Sequence, residues 1–150
     1  MTSPLSRTRA ADAVLAARRR SGLRWADLGA AIGMSTEWTT TALLGQHTLT
    51  PAQAATLGEA LGLDDGVVEA LLLPPVRGAT AVDTSEPVVY RLQEMVQVYG
   101  RAIAELVREE FGDGIISAID FEMDLSRVPD PKGDRVRIVL NGKFLPYRTW

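Results

Sequence analysis

The stretch that decides the fold is PVVYRLQEMVQVYGRAIAELVREEFGDGIISAIDFEMDL, residues 87–125. Over residues 87–111 the apolar side chains recur at steps of three and four, which is the period of one face of an α-helix. The run GDG at 112–114 ends this pattern. The stretch then alternates with period two, which predicts a half-buried strand directly after the helix. One side of the alternation holds Ile115, Ser117, Ile119, Phe121, Met123 and Leu125.

A second strand is expected after the polar loop SRVPDPKGD, residues 126–134. The run RVRIVL at 135–140 carries arginines that can face the acidic side of the first strand across an antiparallel pair. Asn141-Gly142 then predicts a tight turn. Because two or three short strands cannot bury both of their faces, we expect this β unit to pair with that of another subunit.

Upstream, residues 1–73 predict a bundle of short helices, separated by glycine-based stops. Helix starts are expected at Ser35, at Thr50 before Pro51, and at Asp64 or Asp65, because their side-chain oxygens accept free backbone N–H groups. Residues 74–86 are rich in proline and poor in periodic apolar positions, as a linker is. The predicted class is α+β, with a repressor-like helical bundle, a linker at 74–86 and a second module at 87–150 that holds the long helix and a small β unit.

The fragment DLGAAIGMSTEWTTTALLG, residues 27–45, resembles a helix-turn-helix, a topology that by itself would indicate a transcription factor. Charge argues against this function, because residues 25–76 contain no Lys or Arg to contact phosphates. We therefore expect no nucleic-acid partner. A basic cluster upstream is the remaining argument for one, and we interpret it as a solvated helix face or as inter-subunit ion pairs. Its members are Arg7, Arg9, Arg18, Arg19, Arg20 and Arg24.

Composition excludes several classes of site in this chain of 150 residues. The absence of cysteine rules out disulfides, thiolate nucleophiles and Cys-based metal sites, and the single His47 rules out a multi-histidine metal site. We expect no metal. No apolar run approaches the roughly 20 residues of a membrane span, so we expect a cytoplasmic protein without a membrane partner. The arginine-rich start resembles a transit peptide, but its apolar positions favour a first core helix.

Three residues of the second module are candidates for chemistry. Arg91 and Glu94 lie three apart at the flank of the apolar stripe, where the alternative is an ordinary surface ion pair. Ser117 is the one hydroxyl in the apolar strand row, and its alternative is a hydrogen bond to the backbone at a strand start. A nucleophilic serine needs an adjacent base, and His47 belongs to the helical half. We therefore interpret Ser117 as a hydrogen-bond donor to a small anion.

Helix geometry separates these candidates within one chain. If the helix is unbroken, Arg91 lies roughly 30 Å from its end at Gly112, and a strand returns Ser117 by only about 10 Å. One chain cannot bring Arg91 to its own Ser117. A site that contains both residues must be assembled between subunits.

Several motifs of the chain resemble the cyanase family over roughly residues 11–146. They are the YR..EM..VYG helix, GDGIISAI, LNGKFLP, TALLGQ in the helical half and LPPVRG in the linker. The resemblance implies that Arg91, Glu94 and Ser117 are catalytic. It also implies that Arg91 and Ser117 bind substrate, with Ile115 and Leu145 as apolar walls of the pocket.

The same resemblance implies a fold and an activity. Members of the family form a decamer, a ring of five dimers, in which the C-terminal strands interlock. They join bicarbonate to cyanate, and the mixed anhydride loses carbon dioxide to give carbamate, which breaks down to ammonia and a second carbon dioxide. No cofactor is implied, since bicarbonate is a co-substrate. The other classes considered are an effector-gated transcription factor and a purely structural oligomerising protein.

Overall fold

The structure, a computed structural model, describes residues 5–150. Six helices are followed by two strands in this part of the chain, which confirms the predicted α+β class. The chain divides into two compact units between Ala79 and Thr80. The helices are α1 (Arg7–Ser21), α2 (Trp25–Ile32), α3 (Thr36–Leu43), α4 (Pro51–Leu61), α5 (Asp65–Leu71) and α6 (Pro87–Phe111), and the strands are β1 (Gly114–Val128) and β2 (Arg135–Pro146).

The helical unit has its own apolar core. Each of the helices α1 to α5 contributes a large side chain with at most 1% of its surface exposed. Complete burial of such a side chain stabilises a fold by about 1.5–3 kcal/mol, so five helices of 7 to 15 residues hold one another in place. The five side chains are Val14, Leu28, Leu43, Leu57 and Leu71.

The predicted helix starts at Ser35 and Thr50 are confirmed by their caps, whereas α5 begins after Asp64 without the expected side-chain cap hydrogen bond. The Ser35 hydroxyl accepts the Trp38 N–H and begins α3. At α4 the Thr50 hydroxyl accepts the Gln53 N–H, and the Gln53 side chain accepts the Thr50 N–H in return. This reciprocal pair satisfies two N–H groups that a helix end otherwise leaves free.

The helix-turn-helix-like pair is α2 and α3. A Cβ atom added to Gly29 of α2 would lie 2.9 Å from the Met34 carbonyl oxygen. Glycine therefore lets the turn pack directly against the first helix. Within residues 5–150 no helix is both long and apolar enough to cross a membrane.

Two arginines of the basic cluster are used inside the helical unit. The Arg7 guanidinium donates to the carbonyl oxygens of Ala70 and Ala42, both at 3.1 Å, and to that of His47. Arg18 donates to the Leu23 carbonyl oxygen and lies 4.9 Å from the centre of the Trp25 ring. For these two residues, the interpretation as a solvated face or as inter-subunit ion pairs was wrong.

Replacement of Arg7 by alanine is expected to lower the free energy of unfolding by about 2 kcal/mol. Its guanidinium joins the ends of α3 and α5 to α1, and alanine leaves those carbonyl oxygens without their charged donor. Urea unfolding of the full chain, followed by tryptophan fluorescence at fixed protein concentration, measures the change. Arg9→Ala, at an exposed position of the same helix, is the control and should change stability by less than about 0.5 kcal/mol. Equal effects of the two substitutions would contradict the bridging role of Arg7.

The second unit begins with α6, which has the predicted bounds. The Glu86 carboxylate caps its start by accepting the Val89 N–H, and Gly112 ends it with a positive φ of 92°. No residue of α6 is buried. Its apolar face is therefore left uncovered by the chain itself, with Leu92, Met95, Val96, Tyr99, Ile103 and Leu106 all exposed.

The β unit is a two-stranded antiparallel sheet with longer strands than the sequence indicated. β1 has 15 residues and β2 has 12, and the polar connection between them is reduced to residues 129–134. The expected pairing of arginines with the acidic side of β1 is confirmed by the Arg137–Asp124 ion pair at 3.9 Å.

Two local predictions in the β unit were wrong. Asn141-Gly142 is no turn but lies inside β2, where Gly142 is paired with Phe121. Ile119 does not continue the apolar row, since it is 98% exposed. The cause of the second error is a register shift between Ile116 and Phe121, which interrupts the alternation of β1.

Candidate active site

Arg91 and Glu94 form an ion pair on the first turns of α6. Their side chains approach to 3.1 Å and remain about half exposed, at 59% and 48%. The Arg91 guanidinium also lies 4.6 Å from the centre of the Tyr90 ring. An exposed ion pair contributes at most about 1 kcal/mol to stability. What this pair offers to chemistry is an accessible cation held in a defined orientation.

Ser117 lies at the start of the irregular segment of β1 and is only 5% exposed. Its hydroxyl oxygen accepts the N–H groups of Ile119 at 3.1 Å and of Asp120 at 2.9 Å. The backbone hydrogen bond that was the alternative interpretation is therefore present. These two bonds occupy the acceptor sites of the hydroxyl and leave its proton for donation.

Ile115 and Leu145 are brought together by the sheet. They stand directly opposite each other in the register of β1 and β2. Both are partly exposed, at 49% and 40%. An apolar pair thus lies two residues along β1 from Ser117.

The structure does not bring Arg91 to Ser117 within one chain. The helix is unbroken from Pro87 to Phe111, so its rise carries Arg91 about 30 Å from the start of the β unit. Ser117, three residues into β1, recovers only about 10 Å of that length. No hydrogen bond or ion pair of the described residues joins Ser117 to Arg91 or Glu94.

Two family models match the chain, and their matched segments correspond to the two compact units of the structure. Residues 7–75 match the model of the cyanate hydratase N-terminal domain, and residues 81–149 match that of the cyanate lyase C-terminal domain. The chain belongs to the cyanase family. The resemblance seen in the sequence motifs is therefore confirmed over almost the whole chain.

Relatives match the chain from end to end. The cyanate hydratase of Thiobacillus denitrificans is 55% identical over 97% of this chain and 100% of its own length. That of Mycobacterium avium is 46% identical over 99% of this chain and 96% of its own. A crystal structure of cyanase from T. urticae superposes with a TM-score of 0.80 at 31% identity, covering 91% of this chain and 96% of that one. The α+β architecture is thus a cyanase fold.

The single histidine of the chain, His47, has a structural environment. The ring of His47 stacks on that of Trp38, with centroids 5.7 Å apart and planes within 8°. Burial, and secondly the charge of Arg77, lower the pKa of His47. Among residues 5–150 no group of three or more His, Cys, Asp or Glu side chains is placed to hold a metal ion.

Two features beside the site were missed in the sequence. Tyr90 packs its ring on the Arg91 guanidinium, a contact that required knowing the side-chain directions at the start of α6. Gly142 lies against Ser117 from the opposite strand. A glycine inside a strand pattern often marks a close backbone approach, and that signal was available at Gly142.

Proposed function

We propose that the protein decomposes cyanate in a bicarbonate-dependent reaction, in an active site assembled between subunits. The similarity of the whole chain to cyanate hydratases carries the proposal, since it includes both domains. The exposed Arg91–Glu94 pair and the Ser117 hydroxyl are the residues that we assign to the chemistry. Cyanate and bicarbonate are the proposed substrates, and no cofactor takes part.

The site must first offset the repulsion between its two monoanionic substrates. Arg91 supplies a permanent cation whose planar fork suits the carboxylate-like end of bicarbonate. Its exposure on α6 leaves the guanidinium available to substrate. A second Arg91, from a neighbouring subunit, would offset the charge of the second anion.

Glu94 acts in this proposal by orienting Arg91. A free carboxylate at the site would repel both substrates, whereas one paired at 3.1 Å with the guanidinium fixes the direction of the fork. The Tyr90 ring limits the guanidinium from another side. Arg91 is thereby held in position before substrate arrives, which lowers the entropic cost of binding.

Ser117 is assigned the role of donor to cyanate. Since its oxygen already accepts two backbone N–H groups, the hydroxyl has its proton to offer. Donation to the cyanate anion stabilises the negative charge that shifts onto it as the carbon is attacked. Ile115 and Leu145 form the apolar wall beside this donor.

The atoms balance in three steps. A bicarbonate oxygen attacks the cyanate carbon, and uptake of one proton gives a carboxylated carbamate anion. Cleavage of the bond between the bridging oxygen and the bicarbonate carbon then releases carbon dioxide and leaves carbamate. Carbamate takes up a second proton and breaks its C–N bond to give ammonia and another carbon dioxide. Each turnover therefore consumes two protons.

Assembly into a homo-oligomer, a decamer of five dimers, is part of the proposal. The apolar face of α6 and the two-stranded sheet are left largely exposed by the chain itself. Contiguous apolar surface of this kind is characteristic of subunit interfaces. Interlocked β units would cover it and would bring Ser117 of one chain towards Arg91 of another.

Ammonia release is expected to depend strictly on bicarbonate. Purified protein in carbonate-depleted buffer should release ammonia from cyanate at least about 100-fold faster once bicarbonate is added, because bicarbonate is the attacking nucleophile. Initial rates are measured early, before product carbon dioxide accumulates, with carbonic anhydrase absent and a protein-free sample as control. Equal rates with and without bicarbonate would indicate direct hydrolysis of cyanate. If no ammonia is released in either buffer, the proposed activity is contradicted and a binding or structural role is favoured.

A further inference from the structure

The register shift in the sheet is concentrated at Ser117. Regular pairing stops at Ile116, opposite Phe144, and resumes at Phe121, opposite Gly142. Between these two pairs, β1 has the four residues 117–120 and β2 has only Lys143. Such a bulge frees backbone N–H groups from the ladder, and the Ser117 hydroxyl accepts two of them.

Gly142 lies against the first residue of this bulge from the opposite strand. A Cβ atom at Gly142 would stand 2.4 Å from the Ser117 carbonyl oxygen and 2.5 Å from Cγ2 of Ile116. Cβ atoms essentially never approach other atoms within 3.0 Å, so the backbone of Ser117 would have to move. The φ angle of Gly142 is not in the left-handed region. Glycine is thus required here for space and not for conformation.

We infer that Gly142 is a positioning residue for Ser117. The bare backbone of β2 sets how closely Ser117 approaches it, and the hydroxyl is carried on that same backbone. A methyl group at residue 142 would displace the Ser117 carbonyl by about half an ångström, and misplacement of a reacting group by about 1 Å can lower a rate about 100-fold. The inference rests on the donor role proposed for Ser117.

The closing experiment is a double-mutant cycle of Gly142→Ala and Ser117→Ala, measured as kcat and KM for both substrates. Gly142→Ala alone should lower kcat about 10- to 100-fold and change each KM by less than about threefold. In the Ser117→Ala background the same substitution should lower kcat by less than about twofold, because that chain has no hydroxyl to displace. A merely structural defect would lower activity by the same factor in both backgrounds.

Gly114→Ala is the matched control. A Cβ atom at Gly114 would clash with the Leu145 carbonyl oxygen and with the Phe144 ring, so this substitution disturbs the same sheet at least as much but does not press on Ser117. Its effect on kcat should be equal in the two backgrounds. Light scattering and thermal melting of every variant separate loss of assembly from loss of turnover.

The outcomes distinguish the two proposals. If Ser117→Ala turns over as fast as wild type, the donor role of Ser117 fails and Gly142 has nothing to position. Suppose instead that Ser117→Ala lowers kcat. If Gly142→Ala is then fully active, or lowers kcat by the same factor in both backgrounds, only the positioning role is overturned. A Gly142→Ala chain that does not assemble would make the glycine a requirement of folding, and that too would overturn it.

Discussion

Arg91→Ala is expected to lower kcat/KM for cyanate about 1000-fold, which corresponds to about 4 kcal/mol of transition-state stabilisation. The substitution removes the permanent cation that offsets two anionic substrates and leaves Glu94 as an uncompensated negative charge. Both side chains are exposed on α6, so the fold should be preserved. Steady-state ammonia release at saturating bicarbonate measures the loss, and light scattering checks the assembly.

A conservative variant separates the charge of Arg91 from its shape. Arg91→Lys keeps the cation but replaces the planar fork by a point charge, and should retain about a tenth or less of wild-type efficiency. Arg108→Ala is the matched control, because Arg108 forms an exposed ion pair with Glu105 at the same spacing on the same helix. Its activity should stay within about twofold of wild type. Similar losses for Arg91→Ala and Arg108→Ala would show that ion pairs along α6 serve assembly and would remove Arg91 from the site.

Mixed assemblies of Arg91→Ala chains and Ser117→Ala chains are expected to turn over faster than assemblies of either variant alone. Since an unbroken α6 keeps the two residues of one chain far apart, a site built between subunits can take Arg91 from one chain and Ser117 from another. Random mixing should restore about a tenth to a quarter of wild-type turnover, depending on how many copies of each residue one site needs. The two chains carry different tags, and doubly purified assemblies are assayed for ammonia release.

A mixture of Arg91→Ala and Glu94→Ala chains is the control for this rescue. These residues form their ion pair within one helix, so no chain of the mixture offers both. Its turnover should remain at the level of the two parents. Failure of the first mixture to exceed its parents, in assemblies of normal size, would contradict a site shared between subunits.

Much of the fold and the candidate set followed from signals carried by neighbouring residues. The period of residues 87–111, the stop at Gly112 and the caps at Ser35 and Thr50 act within a few positions of the chain. The proposed assignment of Arg91, Glu94 and Ser117 came from motifs equally local in sequence. Such features were predictable because a helix period or a cap involves only residues three or four apart.

The interior contacts of Arg7 required the tertiary structure. From the sequence, a basic side chain near the start of the chain is predicted to be exposed to solvent, because charged side chains are rarely buried. Its acceptors, the carbonyl oxygens of Ala42 and Ala70, lie 35 and 63 residues away. No local pattern indicates that the ends of α3 and α5 converge there.

What the sequence alone determined about this protein is its family, its α+β class, the bounds of α6 and the separation of Arg91 from Ser117 within one chain. Only the tertiary structure decided the bulge at residues 117–120, the outward side chain of Ile119 and the place of Gly142 inside β2. The physical reason is that strand register depends on contacts between residues far apart in the chain. The Asn141-Gly142 pair, which locally favours a turn, lies instead in a strand where it is paired with Glu122 and Phe121.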